Sequence, residues 1–571
     1  MIQKLFLVLF LVLFLLPCFS FSQEILKENL SKKINLYYDY NKTQSQASGY
    51  YYKDELGETN EKHGHWKYFD RAGVLEEERD YYRDALNGMA KLYYPNKKLR
   101  REGYFVFDKQ DSVYREWFEN GKLNIEGEYH MDKPVGKWKY YYRDGRLKSV
   151  EEVLNDVNYL KSFYLPDSLH TQILTDGTGE LRTFFTSGSL KEIYSYKNGL
   201  KNGDFEEYSP YGYLMLVGSF KDGEKDGKWQ YAYYTGQMEK ISHYKNGVLD
   251  GDYKYFYDNG KVNVEGQYLE GKKTGKWVWY NNTGQKDQEG YFSDDLQDGK
   301  WTYYYPTGEL SYNAEFKKGK AHGFWSYFYK DGSRFKEGSF NEDRKDGEWK
   351  TWYENGNLLM SGKYTLGKEE GEWTNFWENG KLKNKSTFKA GLLNGTWESY
   401  HQSGRASLKG TYKDNNKTSE WTSYYDNGMP KEIITYKVFT EKSKMNYSIM
   451  KDFERTDGER NGKYYSFSQK DYKLVEEGSY TRGEKDGEWI AYHPGGKMPA
   501  VISNYKKGQL HGVQKQFDRR GLIVSELEYK DGLRDGKLLF YDKKGKVVKE
   551  AKYKDGLQVI EGTATGSGFG L

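Results

Sequence analysis

A single interval governs this chain. A glycine that opens the pattern Gly-x-Trp, or a relaxed form of it, stands at Gly179, Gly203, Gly227, Gly251, Gly275, Gly299, Gly323, Gly347, Gly371 and Gly395, with Ser419 in the next slot; each step is 24 residues. Gly64, Gly88, Ser112 and Gly136 keep the same step nearer the N-terminus, and Gly462, Gly487, Gly512 and Gly536 follow at steps of 25, 25 and 24. The total is 19 units in 571 residues. A unit this small cannot enclose a core of its own. Its stability has to come from stacking on its neighbours, which predicts a repeat array and excludes a set of ordinary globular domains.

The unit reads as a β-hairpin. One begins Gly275-Lys276-Trp277-Val278-Trp279-Tyr280, and nine residues after the opening position comes Gly284; the matching position is Gly in 17 of 19 units. Asn often precedes it, as in Asn259-Gly260, Asn355-Gly356, Asn379-Gly380 and Asn427-Gly428. Asn-Gly between two aromatic-rich runs predicts a type I′ hairpin turn, because that turn needs positive φ at both central residues. The second strand reads like Val262-Asn263-Val264-Glu265-Gly266-Gln267-Tyr268, and a second turn such as Lys245-Asn246-Gly247 leads to the next opening glycine.

Aromatic positions predict how hairpins adhere. Two residues after the opening, 11 units carry Trp: Trp66, Trp138, Trp229, Trp277, Trp301, Trp325, Trp349, Trp373, Trp397, Trp421 and Trp489. Five residues after it, 18 of 19 carry Phe, Tyr or Trp. Aligned rings bury ~150–250 Å² each and favour nearest-neighbour stacking. In a regular strand these two positions face opposite sides. Either a bulge separates them or both faces carry rings. The predicted fold is all-β: an elongated array of antiparallel β-hairpins forming a long twisted sheet or solenoid. Its structural residues are Gly227, Trp229, Gly251, Gly275, Trp277, Gly299, Trp301, Gly323, Trp325, Gly347, Trp349, Gly371, Trp373, Gly395 and Trp397. Ala90, Leu181, Gln514 and Leu538 take the tryptophan slot elsewhere and predict weaker edges.

Composition removes other classes. Aromatics at 18% exclude a disordered chain. A single Cys excludes a disulfide scaffold. A net charge of +4 over this length gives no overall basic field for nucleic acid.

The array occupies 63–560. Residues 1–22 hold Lys4, an apolar run from Leu5 to Leu16, and Ser20 and Ser22 before Gln23. That pattern is a signal peptide and predicts export to the periplasm, outer membrane or exterior of a Gram-negative-type bacterium. Cleavage there removes Cys18, the only cysteine. Residues 23–62 read as an N-terminal cap or linker, and 561–571 as a flexible tail. Two spacers, near 150–178 and 437–461, exceed the step and read as degraded repeats or long loops, with a binding insertion as the sharper alternative.

Gly347-Glu348-Trp349-Lys350-Thr351-Trp352-Tyr353-Glu354-Asn355-Gly356-Asn357-Leu358, and the matching run from Gly371 to Leu382, resemble the bacterial variant of the MORN repeat (membrane occupation and recognition nexus). The resemblance covers roughly 60–560. It implies stacked β-hairpins in an elongated sheet and scaffold roles: protein contacts, dimerisation and sometimes lipid association. Some bacterial members carry an antitoxin-like label, which a secretion signal argues against.

Chemistry is sparse. His63 and His65 are the only close histidine pair among nine and read as a solvated pair rather than a metal site. The sequence has no G-x-S-x-G elbow, P-loop or H-E-x-x-H run. Carboxylates recur at repeat positions such as Asp226, Asp298 and Asp346, which is turn chemistry rather than a unique catalytic cleft. No catalytic residue, metal or cofactor is expected. Lys225-Asp226-Gly227-Lys228 and Lys272-Lys273-Thr274-Gly275-Lys276 place lysines near turns, with acids interleaved as on a neutralised solvent face. The expected function is a non-enzymatic exported scaffold for a protein partner. The alternative is a glycan or cell-wall binder using rows of exposed aromatics. A membrane surface is a further possible partner, and nucleic acid is not. A shell of the YD-repeat type, suggested by Tyr142-Arg143-Asp144-Gly145-Arg146-Leu147, would need an enclosed domain that the sequence does not contain.

Overall fold

The computed structural model describes residues 29–443 and 453–560. The predicted signal peptide, the tail and the tip of the second spacer lie outside the described residues. Among these there are 47 strands and no helix. The strand pairs within each unit are antiparallel and follow the chain, so the sheet grows one strand at a time and is not closed into a barrel. The chain divides into two units, Met1–Lys272 and Lys273–Leu571.

Two turn types alternate, and the type I′ turn expected at Asn-Gly inside the unit is found instead at the second turn. The Asn-Gly turn inside the unit is a type I turn closed by a left-handed glycine. Gly260 N donates to Tyr257 O at 2.9 Å, Tyr257 N donates to Lys261 O at 2.8 Å, and positive φ falls on Gly260 (79°) but not on Asn259. The type I′ turn is the second one: Asn246 and Gly247 have φ of 49° and 79°, and Lys245 pairs directly with Val248. Asn serves both turns. In the first its side chain accepts a backbone N–H two residues on, as Asn259 Oδ1 does from Lys261 N at 3.0 Å.

The type I′ turns bind one another along one edge. Gly247 N donates to Lys225 O at 2.9 Å, and Gly223 N to Lys201 O at 2.8 Å. Where Asp replaces the glycine the link doubles: Asp343 N donates to Ala321 O at 3.0 Å, and Ala321 N donates to Asp343 Oδ1 at 2.7 Å.

The opening glycine makes a bulge. Ser219 pairs with Asp226 and Val217 with Gln230, so Gly218 alone faces Gly227, Lys228 and Trp229. Gly227 turns through φ 70° to allow this.

The ends and spacers follow the same plan. Strands Ile34–Tyr37 and Ser45–Asp54 precede the first repeat and pair in sequence with Gly57–Phe69. The first spacer adds strands Val157–Tyr164 and Gln172–Thr175 to the meander, with Leu174 fully buried. The second is a lengthened hairpin: Pro430–Ser443 and Phe453–Phe467 pair from Glu432↔Ser466 out to Ser443↔Phe453.

Candidate functional site

One face of the sheet carries the tryptophans. Trp229, Trp277, Trp301, Trp349 and Trp373 are at most 4% exposed. The indoles of Trp229, Trp301, Trp349 and Trp373 each lie on a glycine of the preceding strand, eleven residues back. A Cβ on Gly218 would come within 2.3 Å of Trp229, on Gly338 within 2.2 Å of Trp349, and on Gly362 within 2.1 Å of Trp373. Only a residue without a side chain can serve as this socket. Ala314 and Ser386 take the socket position before Trp325 and Trp397, and those two indoles are only half-buried. The indole N–H is also satisfied: Trp229 Nε1 donates to Ser219 O and Trp349 Nε1 to Ser339 O, both at 3.1 Å.

A second ring, 17 or 18 residues after the opening, is Phe or Tyr in 18 of 19 units. It stands edge-on between successive indoles. Phe340 lies 5.0 Å from Trp325 and 5.1 Å from Trp349; Tyr364 lies 6.3 Å from Trp349 and 4.9 Å from Trp373. The result is a row of alternating rings in the edge-to-face geometry that aromatic quadrupoles favour. The lysine two residues before the opening glycine covers the indole face, with Lys225 Nζ 4.2 Å from the Trp229 ring and Lys345 Nζ 4.7 Å from that of Trp349. Thus Lys225 and Lys273 are not part of a solvent ladder: Lys273 Nζ sits 4.8 Å from the Trp277 ring. Burial against these rings lowers the pKa of Lys201, Lys336 and Lys417.

The aromatic five residues after the opening faces the other side, so both faces carry rings. Tyr304 Oη donates to Glu289 Oε1 at 3.0 Å, and Glu289 precedes the socket Gly290. This second face is charged. Lys67 pairs with Glu78 at 2.8 Å, Lys139 with Glu126 at 2.9 Å and Lys276 with Glu289 at 3.0 Å. Burial pushes the Glu78 carboxyl up, but hydrogen bonds from Lys67 and Tyr93 outweigh it and hold the group at about 2. Glu289 is held at about 2, where bonds from Lys286, Lys276 and Tyr304 outweigh burial.

Between the faces, the residue six after the opening reaches into the next repeat. Tyr305 Oη donates to Phe328 O at 2.8 Å, Tyr329 Oη to Trp352 O at 2.8 Å, Tyr353 Oη to Phe376 O at 3.0 Å and Trp377 Nε1 to Tyr400 O at 3.1 Å. Sequence reasoning missed this contact and the socket glycine. Both were visible as repeated residue types, but only strand register shows what they touch.

The predicted opening glycines Gly227, Gly251, Gly275, Gly299, Gly323, Gly347, Gly371 and Gly395 all lie at positive φ. The histidine pair is not brought together: His63 is buried between Tyr52 and Tyr82, while His65 Nδ1 bonds Asp80 Oδ1 at 2.7 Å. That bond raises the His65 pKa. Among the described residues no group of three His, Cys, Asp or Glu is placed to hold a metal. The glycan alternative required exposed rows of aromatics. The tryptophan row is buried within the sheet, while exposed rings stand singly, at turns as Tyr211 and Tyr234 do and within strands as Tyr291 and Phe324 do.

Between Trp66 and Trp138 the row is broken at Ala90, while Tyr114 takes the next tryptophan slot with a smaller ring that keeps its contacts to Tyr129 at 5.5 Å and Trp138 at 5.7 Å. A cavity of about 260 Å³ opens there, lined by Arg79, Leu86, Ala90, Leu92, Arg101, Gly103, Phe105, Gln110 and Tyr114. Trp138, at its border, is buried with its Nε1 unpaired.

A family model described as MORN repeat variant matches residues 62–84, 86–106, 110–131, 134–155, 178–198, 249–270, 297–318, 345–365, 369–390, 417–437 and 534–555. The chain is a MORN repeat variant protein. The matched windows of this MORN protein run from just before the opening glycine to just past the second ring. Unmatched repeats, such as that of Gly323, share the same strands and bulge. No curated protein matches the chain. Among solved structures, a crystal structure of TcdB2-TccC3 aligns at 11% identity over 92% of this chain and 31% of that chain, with a TM-score of 0.12. A Photorhabdus luminescens Tc holotoxin pore carrying TccC3-D651A aligns at 10% identity over 89% and 35%, also at 0.12. The MORN protein thus spans about a third of those chains, and at that score the likeness carries no argument.

Proposed function

We propose that this protein is an exported, non-enzymatic scaffold that holds a protein partner along its charged face. The family and the repeat fold support a non-catalytic protein. The observation that carries the reading is the division of labour between the faces. The indoles are consumed by the packing of the sheet. Lys67, Lys139 and Lys276 each keep between 44% and 49% of the side chain exposed. Contacts repeated at a fixed spacing multiply weak individual affinities through effective concentration, and half-exposed charges set partner choice and encounter rate. Export rests on residues 1–22.

The test has two parts. N-terminal sequencing of the mature protein is expected to begin at Gln23; an intact Met1 would remove the export step. Charge reversal at Lys67, Lys139 and Lys276 together is expected to abolish recovery of partners from a native envelope extract. An unchanged partner set would remove the charged face as the docking surface.

A further inference from the structure

We propose that the cavity between Ala90 and Tyr114 is a binding site for a planar aromatic ring of about indole size carried by another molecule. The frame that seats an indole elsewhere is still present. Gly103 stands eleven residues before Tyr114, as Gly127 stands before Trp138, where an added Cβ would come within 2.2 Å of the indole. At Gly103 no indole occupies the socket: an added Cβ would first meet Gln110 Nε2 at 2.9 Å, the movable end of a polar side chain, and then the edge of the Phe105 ring at 3.5 Å. The missing ring is that of Ala90, which pairs across the strands with Gly103, whereas Tyr114 keeps a ring 5.7 Å from Trp138.

The lining suits a neutral aryl group. Ala90 and Phe105 give an apolar floor, and the Arg101 guanidinium lies 5.9 Å from the Tyr114 ring, offering a flat cationic face to a ring inserted beside it. Arg101 is already paired with Glu116 at 2.7 Å, and Arg79 is paired with Glu77, so the site carries little net charge and an anion gains little by entering. The volume of about 260 Å³ exceeds the ~150 Å³ apolar cavity that suffices for benzene.

The test uses the full chain titrated with free indole, followed by calorimetry and by NMR. Saturable binding of one indole per chain is expected, with intermolecular NOEs to the methyls of Ala90 and Leu92. Y114W replaces the Tyr114 ring by the larger indole over the retained Gly103 socket and is expected to weaken indole binding at least tenfold while keeping the strand circular-dichroism spectrum. A90W fills the cavity from the other side and is expected to do the same. Benzoate is expected to bind no more tightly than indole. N-acetyl-tryptophan amide separates the sources: its binding beside indole assigns a polypeptide side chain as well, and its exclusion assigns a small aromatic molecule. Absence of saturable indole binding, NOEs confined to other residues, or undiminished binding by folded Y114W would overturn the proposal.

Discussion

The repeats from Trp301 to Trp373 and those from Trp66 to Trp138 share strands, bulges and turns, but only the first set has an unbroken indole row. In the first, Trp301, Trp349 and Trp373 are buried and edge-on rings join each to the next. In the second, Ala90 interrupts the row and Tyr114 continues it with a smaller ring, yet strands Ala85–Tyr93 and Lys109–Trp117 pair with their neighbours in the usual register. The strands are therefore held by what both regions keep: the type I′ ladder and the bulge. The indole adds lateral packing on top of that frame, and where it is lost the frame persists around a cavity.

That difference can be broken by substitution. The largest effect is expected from W349A. Removing a fully buried indole costs roughly 3–5 kcal/mol, read as faster amide exchange in the strands Arg334–Asn341 and Leu358–Thr365. Y114A, beside an existing cavity, is expected to cost less than half as much. Equal costs would mean that the two rows are not different in kind.

The sockets come next. G338A drives a Cβ into Trp349 and is expected to cost about 1–3 kcal/mol, with the indole pushed towards the half-buried state of Trp325. G103A displaces only the Gln110 amide and is expected to stay within about 0.5 kcal/mol. Thermal or urea unfolding followed by tryptophan fluorescence would separate the two.

A smaller effect is expected from Y353F, which removes one hydrogen bond to the next repeat and is expected to cost about 0.5–1.5 kcal/mol. Amide exchange in Lys368–Phe376 would report it.

Acid should not distinguish the regions. Glu78 and Glu289 are both held at about 2 in the folded state, against an ordinary value of 4.5. A depressed carboxylate stabilises the fold above its ordinary value, and that contribution is lost as pH falls from 4.5 towards 2. E78Q and E289Q are each expected to flatten the loss of stability over this window by a similar amount, measured by urea midpoints across pH. A response at only one of the two would show that the charged faces differ.

Much of the fold was legible in the sequence. The step of 24 residues, the two turns and the tryptophan slot follow from glycine and aromatic spacing, because turn backbones and ring burial demand those residue types. The type of the turn inside the unit was misread, since Asn-Gly satisfies a type I turn with a left-handed glycine as well as it does type I′. The roles of Gly338, Tyr364 and Tyr353 were hidden for a different reason. Each acts across a strand pair, and a bulge of the kind at Gly227 shifts which residues meet. A period shows what recurs; register shows what touches. The cavity at Ala90 was visible only as a missing tryptophan, because a departure from the repeat does not show whether its neighbours close over the gap.

The central claim is that neighbouring repeats are coupled ring to ring. A double-mutant cycle of F340L and W349L, read by local amide exchange in Arg334–Asn341 and Arg344–Trp352, tests it most directly. The account predicts a coupling of about 0.5–1.5 kcal/mol between the two rings. Costs that add to within about 0.3 kcal/mol would contradict it.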